Sequence, residues 1–471
     1  MAYGFKAWSE RVSLLVVAVS ALASFACFED ALGDPVATLA VAKSVKAGPD
    51  KFGEAPACPT GPLAESLRES IDAAFGAGLE LELMGEMQAE ALRQIAQSSD
   101  PRLAWMISDL MRLTTSYNEM SLLCKAVAAL TGLDCDPTNP WGKTTDHLIA
   151  WDIPAPPGYL QIKRNIYTSL VPEWERLFAE GDIDWRHVSW GGVKIDDRAF
   201  GTTDEPCNCI PAADNPEVSN AFEAKWLADD AVVFGVEIGG AFRAYPRRIM
   251  EVREMVNDTL GGRDIAMPYC TLCGSAQVYF TDQMPEGVER PVLRTSGLLL
   301  RSNKVMFDIN TYSVFDTFRG QAVTGPLAER GVVLAQAGVV TTTWGAWKRA
   351  HPTTTVLVEA LALGRDFNFR ENRDANGPIF PVGDIDSRLP AQADVLGVLT
   401  KSGTAIAFHN ESTLAILHGG DDVRFEDIRI VLDGGGLRAV DAEGRDLGGH
   451  LAFWFAWSQF HPETKLWQKT D

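Results

Sequence analysis

The chain has 471 residues, 46% hydrophobic and 22% charged, a globular balance too long for one small core. Acidic residues outnumber basic ones 63 to 42, giving a net charge of -21, and a surface of that sign repels phosphate backbones and anionic lipid. Nucleic acid is therefore not expected as a partner, and the seven scattered histidines form no metal-buffering tract.

Residues 1–26 read as a signal peptide. Lys6 and Arg11 supply a basic start, "VSLLVVAVSALASFA" an apolar run short for a spanning helix, and Ser24 and Ala26 a small-residue cleavage site before Cys27. The alternative is an uncleaved anchor or a lipid on Cys27, for which Phe25-Ala26 is a poor context. The expectation is an exported protein, periplasmic or extracellular, with no membrane span after cleavage. In an oxidising compartment disulfides are the default for the eight cysteines, and Cys124 and Cys135, flanking "KAVAALTGLD", make a natural pair.

Residues 27–60, rich in Ala, Gly and Pro, read as a linker. Over residues 61–184, apolar positions recur at helical spacing in "LAESLRESIDAAF", "SDPRLAWMISDLMRLT" and "YLQIKRNIYTSLVPEWERLF". Such helical pairs stack as short HEAT-like solenoids, or form a plain cap on the next domain. From residue 185 the pattern turns to strands: "AVVFGVEI", "AFRAYP", "RDIAMPYC", "AQVYF" and "PVLRTSGLLL".

This second half contains an internal repeat. "WGAWKRAHPTTTVL" matches "WFAWSQFHPETKLW" at a constant offset of 110 residues, and "DIAMPYCTLCG" falls against "DIRIVLDGGG". Two lobes follow, residues 185–390 and a partial copy, 391–471. The expected fold class is α+β: a helical N-terminal domain, then a duplicated, mainly antiparallel β-rich module with short helices. Trp344, Trp347, Trp454 and Trp457, spaced i, i+3, read as core rather than as a sugar platform, and His351 and His461 as helix ends.

Cys270 and Cys273, in "AMPYCTLCGSAQVYF", occur in the first copy alone. A feature shared by both copies points to fold, and one held by a single copy points to function, so these cysteines are the candidate catalytic or metal-binding pair. Strand-like residues after Cys273 argue against an ordinary thioredoxin site, which needs a helix N-terminus there. A C-x-x-C-G turn suits a metal knuckle, with Cys207 and Cys209 as possible further ligands and zinc or copper as the ion. An exported setting favours a disulfide instead. Downstream, Ser296, Asn303 and Asp308 interrupt apolar strands and are candidate pocket residues, with ordinary turn chemistry as the alternative. The partner is an unidentified small molecule or protein. The functional readings are a thiol site, binding a soft metal or exchanging disulfides, and a non-enzymatic binding or scaffold protein stapled by the CxxC. Whether the chain is an enzyme stays open.

The stretches "AYPRRIMEVREMVNDTLGGRDIAMPYCTLCGSAQVYF", "SGLLLRSNKVMFD", "GQAVTGPL" and "TTWGAWKRAHPTTTVL" resemble a bacterial family known as domain of unknown function 3179. The resemblance covers roughly residues 185–471 and places Cys270, Cys273, Gly274, Ser296, Gly297, Asp308 and Gly320 on the family motif, with Cys207 and Cys209 outside it. It implies no activity. The chain departs at "SVFDTF", where Phe315 and Thr317 stand in place of the more usual Trp and Gln.

Overall fold

The computed structural model describes residues 51–76, 84–136, 138–202, 207–359 and 377–467. The signal-peptide reading, Cys27 and much of the linker lie outside these residues. Among them, no helix is long and apolar enough to cross a membrane.

Six helices between Glu65 and Leu170 build the N-terminal part. Their ends follow local chemistry. Ser116 caps the helix Tyr117–Thr131 through Glu119 N–H, and Gly132 closes it in a left-handed conformation. Asn139 caps Pro140–Ala150, with proline in the first turn. Cys124 and Cys135 form the expected disulfide. At the centre a fully buried Lys163 meets Asp109 at 2.5 Å, with the Tyr159 hydroxyl donating to the same carboxylate at 2.7 Å. A buried pair so satisfied fixes how the helices sit, because either partner alone would be an uncompensated charge.

The remaining chain forms five small, mainly antiparallel sheets arranged like the blades of a five-bladed propeller. Blade one comprises Val188–Trp190, Leu293–Leu300, Asn303–Asp308, Val314–Asp316 and Gln321–Ala322. The helices pack on its face, sharing a core that joins Trp105, Leu110, Ile166 and Trp174 to Leu298, Val305 and Phe307. Blade two is centred on Met255–Leu260 and Arg263–Cys270, and blade three on Val232–Ile238 and Ala241–Pro246. Blade four is the three-stranded sheet Val423–Phe425, Ile428–Asp433, Gly436–Val440; blade five holds Asp394–Leu399 and Ala405–His409. Separate apolar clusters cement two to one, two to three, and four to five.

The sequence repeat has a physical counterpart in blades three and five. In blade three Val339–Thr343 pairs antiparallel with Val232–Ile238, and Thr355–Leu357 pairs parallel with Ala241–Pro246. Blade five repeats this with His450–Phe453 on Asp394–Leu399 and Lys465–Trp467 on Ala405–His409. Each is crossed by its tryptophan helix, Trp344–Ala350 or Trp454–Phe460. All four tryptophans are core, as expected, at 0 to 2% exposure. Trp347 Nε1 donates to Thr354 Oγ1 at 2.9 Å and Trp457 Nε1 to Thr464 Oγ1 at 2.8 Å. The indoles lie flat over glycines: a Cβ at Gly235 would come 2.5 Å from Trp347, and one at Gly397 2.1 Å from Trp457. Blades four and five were not foreseen as two separate sheets, nor the five-fold arrangement, because a three-stranded blade leaves too short a pattern to tell from a loop excursion.

Two predictions follow from this packing. Gly397→Val should destabilise the protein by about 1–3 kcal/mol, as overpacking does, measured by denaturant unfolding. Burial pushes His450 and His461 down to about 3 and His187 to about 4. Their folded values lie below the unfolded value of about 6.5, so the stability they contribute is complete above that pH and is lost as pH falls toward the folded values. The unfolding midpoint should drop steadily below about pH 6.5, and His450→Gln should flatten that slope.

Candidate functional site

Strand Arg263–Cys270 ends on the first cysteine, and Ser275–Ala276 pairs back on it, so Thr271–Gly274 is a hairpin tip. The Cys273 N–H donates to the Cys270 carbonyl at 3.2 Å, closing the turn. Gly274 adopts φ +61°, and a Cβ there would also press on the Phe453 ring at 3.1 Å. In the second copy the aligned turn is Gly434–Gly435, which needs no sulfur to form.

Three blades meet at the sulfurs. Both thiols donate to the carbonyl of Ser302, at 3.5 Å each, and the Cys273 sulfur lies 3.7 Å from the Ser302 hydroxyl. Ser302 belongs to the turn joining Leu293–Leu300 to Asn303–Asp308 in blade one. Phe453 of blade five donates its N–H to the Cys273 carbonyl at 2.8 Å. Neither Cys270 nor Cys273 is disulfide-bonded.

A cavity of about 420 Å3 opens on this turn, its wall including Cys270, Thr271, Leu272 and Gly274. Cys270 is 2% exposed and lines the cavity, whereas Cys273 is fully buried and does not line it; both sulfurs share one apolar cluster with blade-five side chains such as Trp454. Burial pushes the Cys270 thiol up. The Cys273 thiol, the Lys304 N–H and the Lys304 ammonium together pull harder and hold it below the usual thiol range, against an opposing push from Glu254.

Glu254 and Lys304 form the charged floor. Lys304 Nζ donates to the Glu254 carboxylate at 2.9 Å, to its carbonyl at 2.6 Å and to the Tyr269 carbonyl at 3.3 Å. Glu254 ends the helix Arg247–Arg253 at φ 48°, a conformation that costs a non-glycine residue energy and is held by the surrounding bonds. Its carboxylate also accepts from the Thr271 hydroxyl at 3.3 Å, tying the helix end to the cysteine turn.

The other sequence-selected residues lie elsewhere. Cys207 and Cys209 are joined in a disulfide, so the four sulfurs are not assembled as one thiolate site. Among the described residues, the one group of three ligand atoms close enough for a metal is Asp196, Cys207 and Cys209. There Asp196 already accepts from Arg198 at 2.7 and 2.9 Å and from Ala212 N–H at 2.9 Å, a carboxylate committed to a guanidinium. Cys270 and Cys273 join no such group, which does not fit a closed tetrahedral zinc site. Of the pocket candidates, Ser296 donates to the Val305 carbonyl at 2.6 Å, and Asp308 staples its own turn through Val292, Thr311 N–H and the Thr311 hydroxyl. Asn303 is buried with no partner for its amide among the described residues. None of the three lines the cavity; Thr295, Gly297 and Lys304, each one residue away, do so instead. The signal available was Lys304 itself, a charge inside the otherwise apolar "NKVMF".

The model of the family described as "Protein of unknown function (DUF3179)" matches residues 207–451, more than half of the chain. The chain belongs to the DUF3179 family. The DUF3179 match begins at Cys207 and so takes in the Cys207–Cys209 disulfide that the motif comparison had placed outside. No curated protein and no solved structure matches the chain significantly.

Alkylation of Cys270 followed by mass spectrometry across pH should show a midpoint below the ordinary thiol value of about 8.5. Lys304→Gln should move that midpoint upward and Glu254→Gln downward. A wild-type midpoint above 8.5 would contradict the electrostatics described.

Proposed function

We propose that this DUF3179 protein is an exported thiol–disulfide exchange protein acting on a small molecule, with Cys270 attacking and Cys273 resolving. The observation that carries this reading is the asymmetry of the pair: one sulfur with a lowered pKa in the wall of a cavity, the other sealed behind it. The basic and apolar N-terminal run and the two disulfides support export. A cavity of about 420 Å3 suits a small ligand better than the face of a folded protein.

In the exchange, the Cys270 thiolate attacks one sulfur of a substrate disulfide, and the other sulfur leaves with the bonding electron pair and takes a proton from water. The Cys273 thiol loses its proton and attacks the Cys270 sulfur. That closes Cys270–Cys273 and releases the second substrate thiol. The substrate has gained two electrons, and an external dithiol returns them by the reverse sequence.

The alternative, a CxxC that is a mere staple in a scaffold, predicts an inert pair. In a Cys27→Ser, Cys58→Ser background, Cys273→Ser treated with hydroxyethyl disulfide should accumulate a mixed disulfide at Cys270, read by intact mass. Cys270→Ser should accumulate none. If neither variant forms an adduct while the protein stays folded, the exchange reading is wrong.

A further inference from the structure

The cavity has a charge and an aromatic character that the exchange chemistry alone does not require. Three carboxylates line it, Glu251, Glu254 and Asp394, against two cations, Arg247 and Lys304. Lys304 is committed to Glu254 at 2.9 Å. Arg247 lies 3.8 Å from Glu251. The Asp394 carboxylate has no hydrogen bond or ion pair among the described residues, although Arg247 and His409 both act on it through space. His409 is turned to the Ser412 hydroxyl, 2.6 Å from its Nδ1. Among the described residues the wall therefore carries three carboxylates against two cations, on a chain whose net charge is already -21.

Aromatic side chains complete the setting. Phe234, Tyr269, Phe380 and Phe453 come from blades three, two and five and from the segment before blade five, and all line the same space. The faces of such rings attract cations, and a carboxylate beside them adds a direct charge. An anionic ligand would meet repulsion from the exposed Asp394 carboxylate, offset in part by Arg247.

We infer that the molecule turned over is a low-molecular-weight thiol or disulfide bearing a protonated amine, its ammonium held by Asp394 and the aromatic wall while its sulfur meets Cys270. This rests on the exchange reading and names its substrate class. Asp394 is the specificity residue, supplied by the first strand of blade five, Asp394–Leu399, whereas the attacking sulfur comes from blade two.

The test compares three symmetrical disulfides of similar size: cystamine (dicationic), hydroxyethyl disulfide (neutral) and dithiodiglycolate (dianionic). Each kcat/KM is divided by the rate of the same disulfide with free dithiothreitol, which removes intrinsic reactivity. The normalised preference for cystamine over dithiodiglycolate should be about tenfold or more, the scale of one charge contact at a half-solvated site, and should shrink at high salt. Asp394→Asn should lower that ratio about tenfold, and Asp394→Glu should retain it, with unfolding curves showing both variants folded. Equal normalised rates, or a ratio unmoved by Asp394→Asn, overturn this inference and leave the exchange reading standing. No turnover of any of the three overturns both, an outcome distinct from equal rates.

Discussion

A hydrogen bond from the Phe453 N–H to the Cys273 carbonyl joins the cysteine turn of blade two to the penultimate strand of the chain. It is the constraint from which the site follows. Both sulfurs pack into the blade-five core, and of the two Cys270 also lines the cavity. The Ser302 carbonyl adds a third attachment, from blade one, so both sulfurs are positioned by backbone groups rather than by flexible side chains. Sites built on rigid elements hold their geometry better than sites on loops.

The two halves of the repeat meet reciprocally. The cysteine turn of the first copy leans on the segment entering the tryptophan helix of the second, and the Gly434–Gly435 turn of the second copy leans on the same segment of the first. There the Thr342 hydroxyl donates to the Gly434 carbonyl at 2.6 Å. Where one copy has a thiol pair, the other has glycines and the adjacent Asp433, whose carboxylate meets His351 at 2.6 Å. The same architectural joint thus holds the sulfur pair on one side and a histidine–carboxylate contact on the other.

Much of this was legible in the sequence, for identifiable reasons. The tryptophan helices were readable because a long, invariant-length motif recurs, and an indole lying on a glycine leaves both residues visible in "VVFGV" and "DVLGV". The Cys124–Cys135 disulfide was readable because a helix end and a short loop set the distance. The cysteine turn stood out because it lacks a counterpart in the second copy. What was not legible were the residues that give the turn its electrostatics. Arg247 and Glu254 come from the two ends of one helix, and Lys304 and Asp394 from two strands of different blades, and the ring of blades brings them to one cavity. Ser296, Asn303 and Asp308 were not separable in the sequence from neighbours that do line the cavity, because the lining takes consecutive residues around an irregularity between Thr295 and Leu299 rather than one strand face.

The edge strand Val188–Trp190 of blade one and the helix Trp454–Phe460 with its following strand in blade five lie outside the residues that define the family, 207–451. The span matched by the family model is thus shorter than the ring of sheets it belongs to. A fragment cut to the homology boundaries would lose Gly191 and Val193 from the cavity wall, a sheet edge from blade one and the tryptophans that seal Cys273. Any dissection of this protein therefore has to follow the ring of sheets rather than the matched span, since the sulfur pair takes its shelter from segments on both flanks.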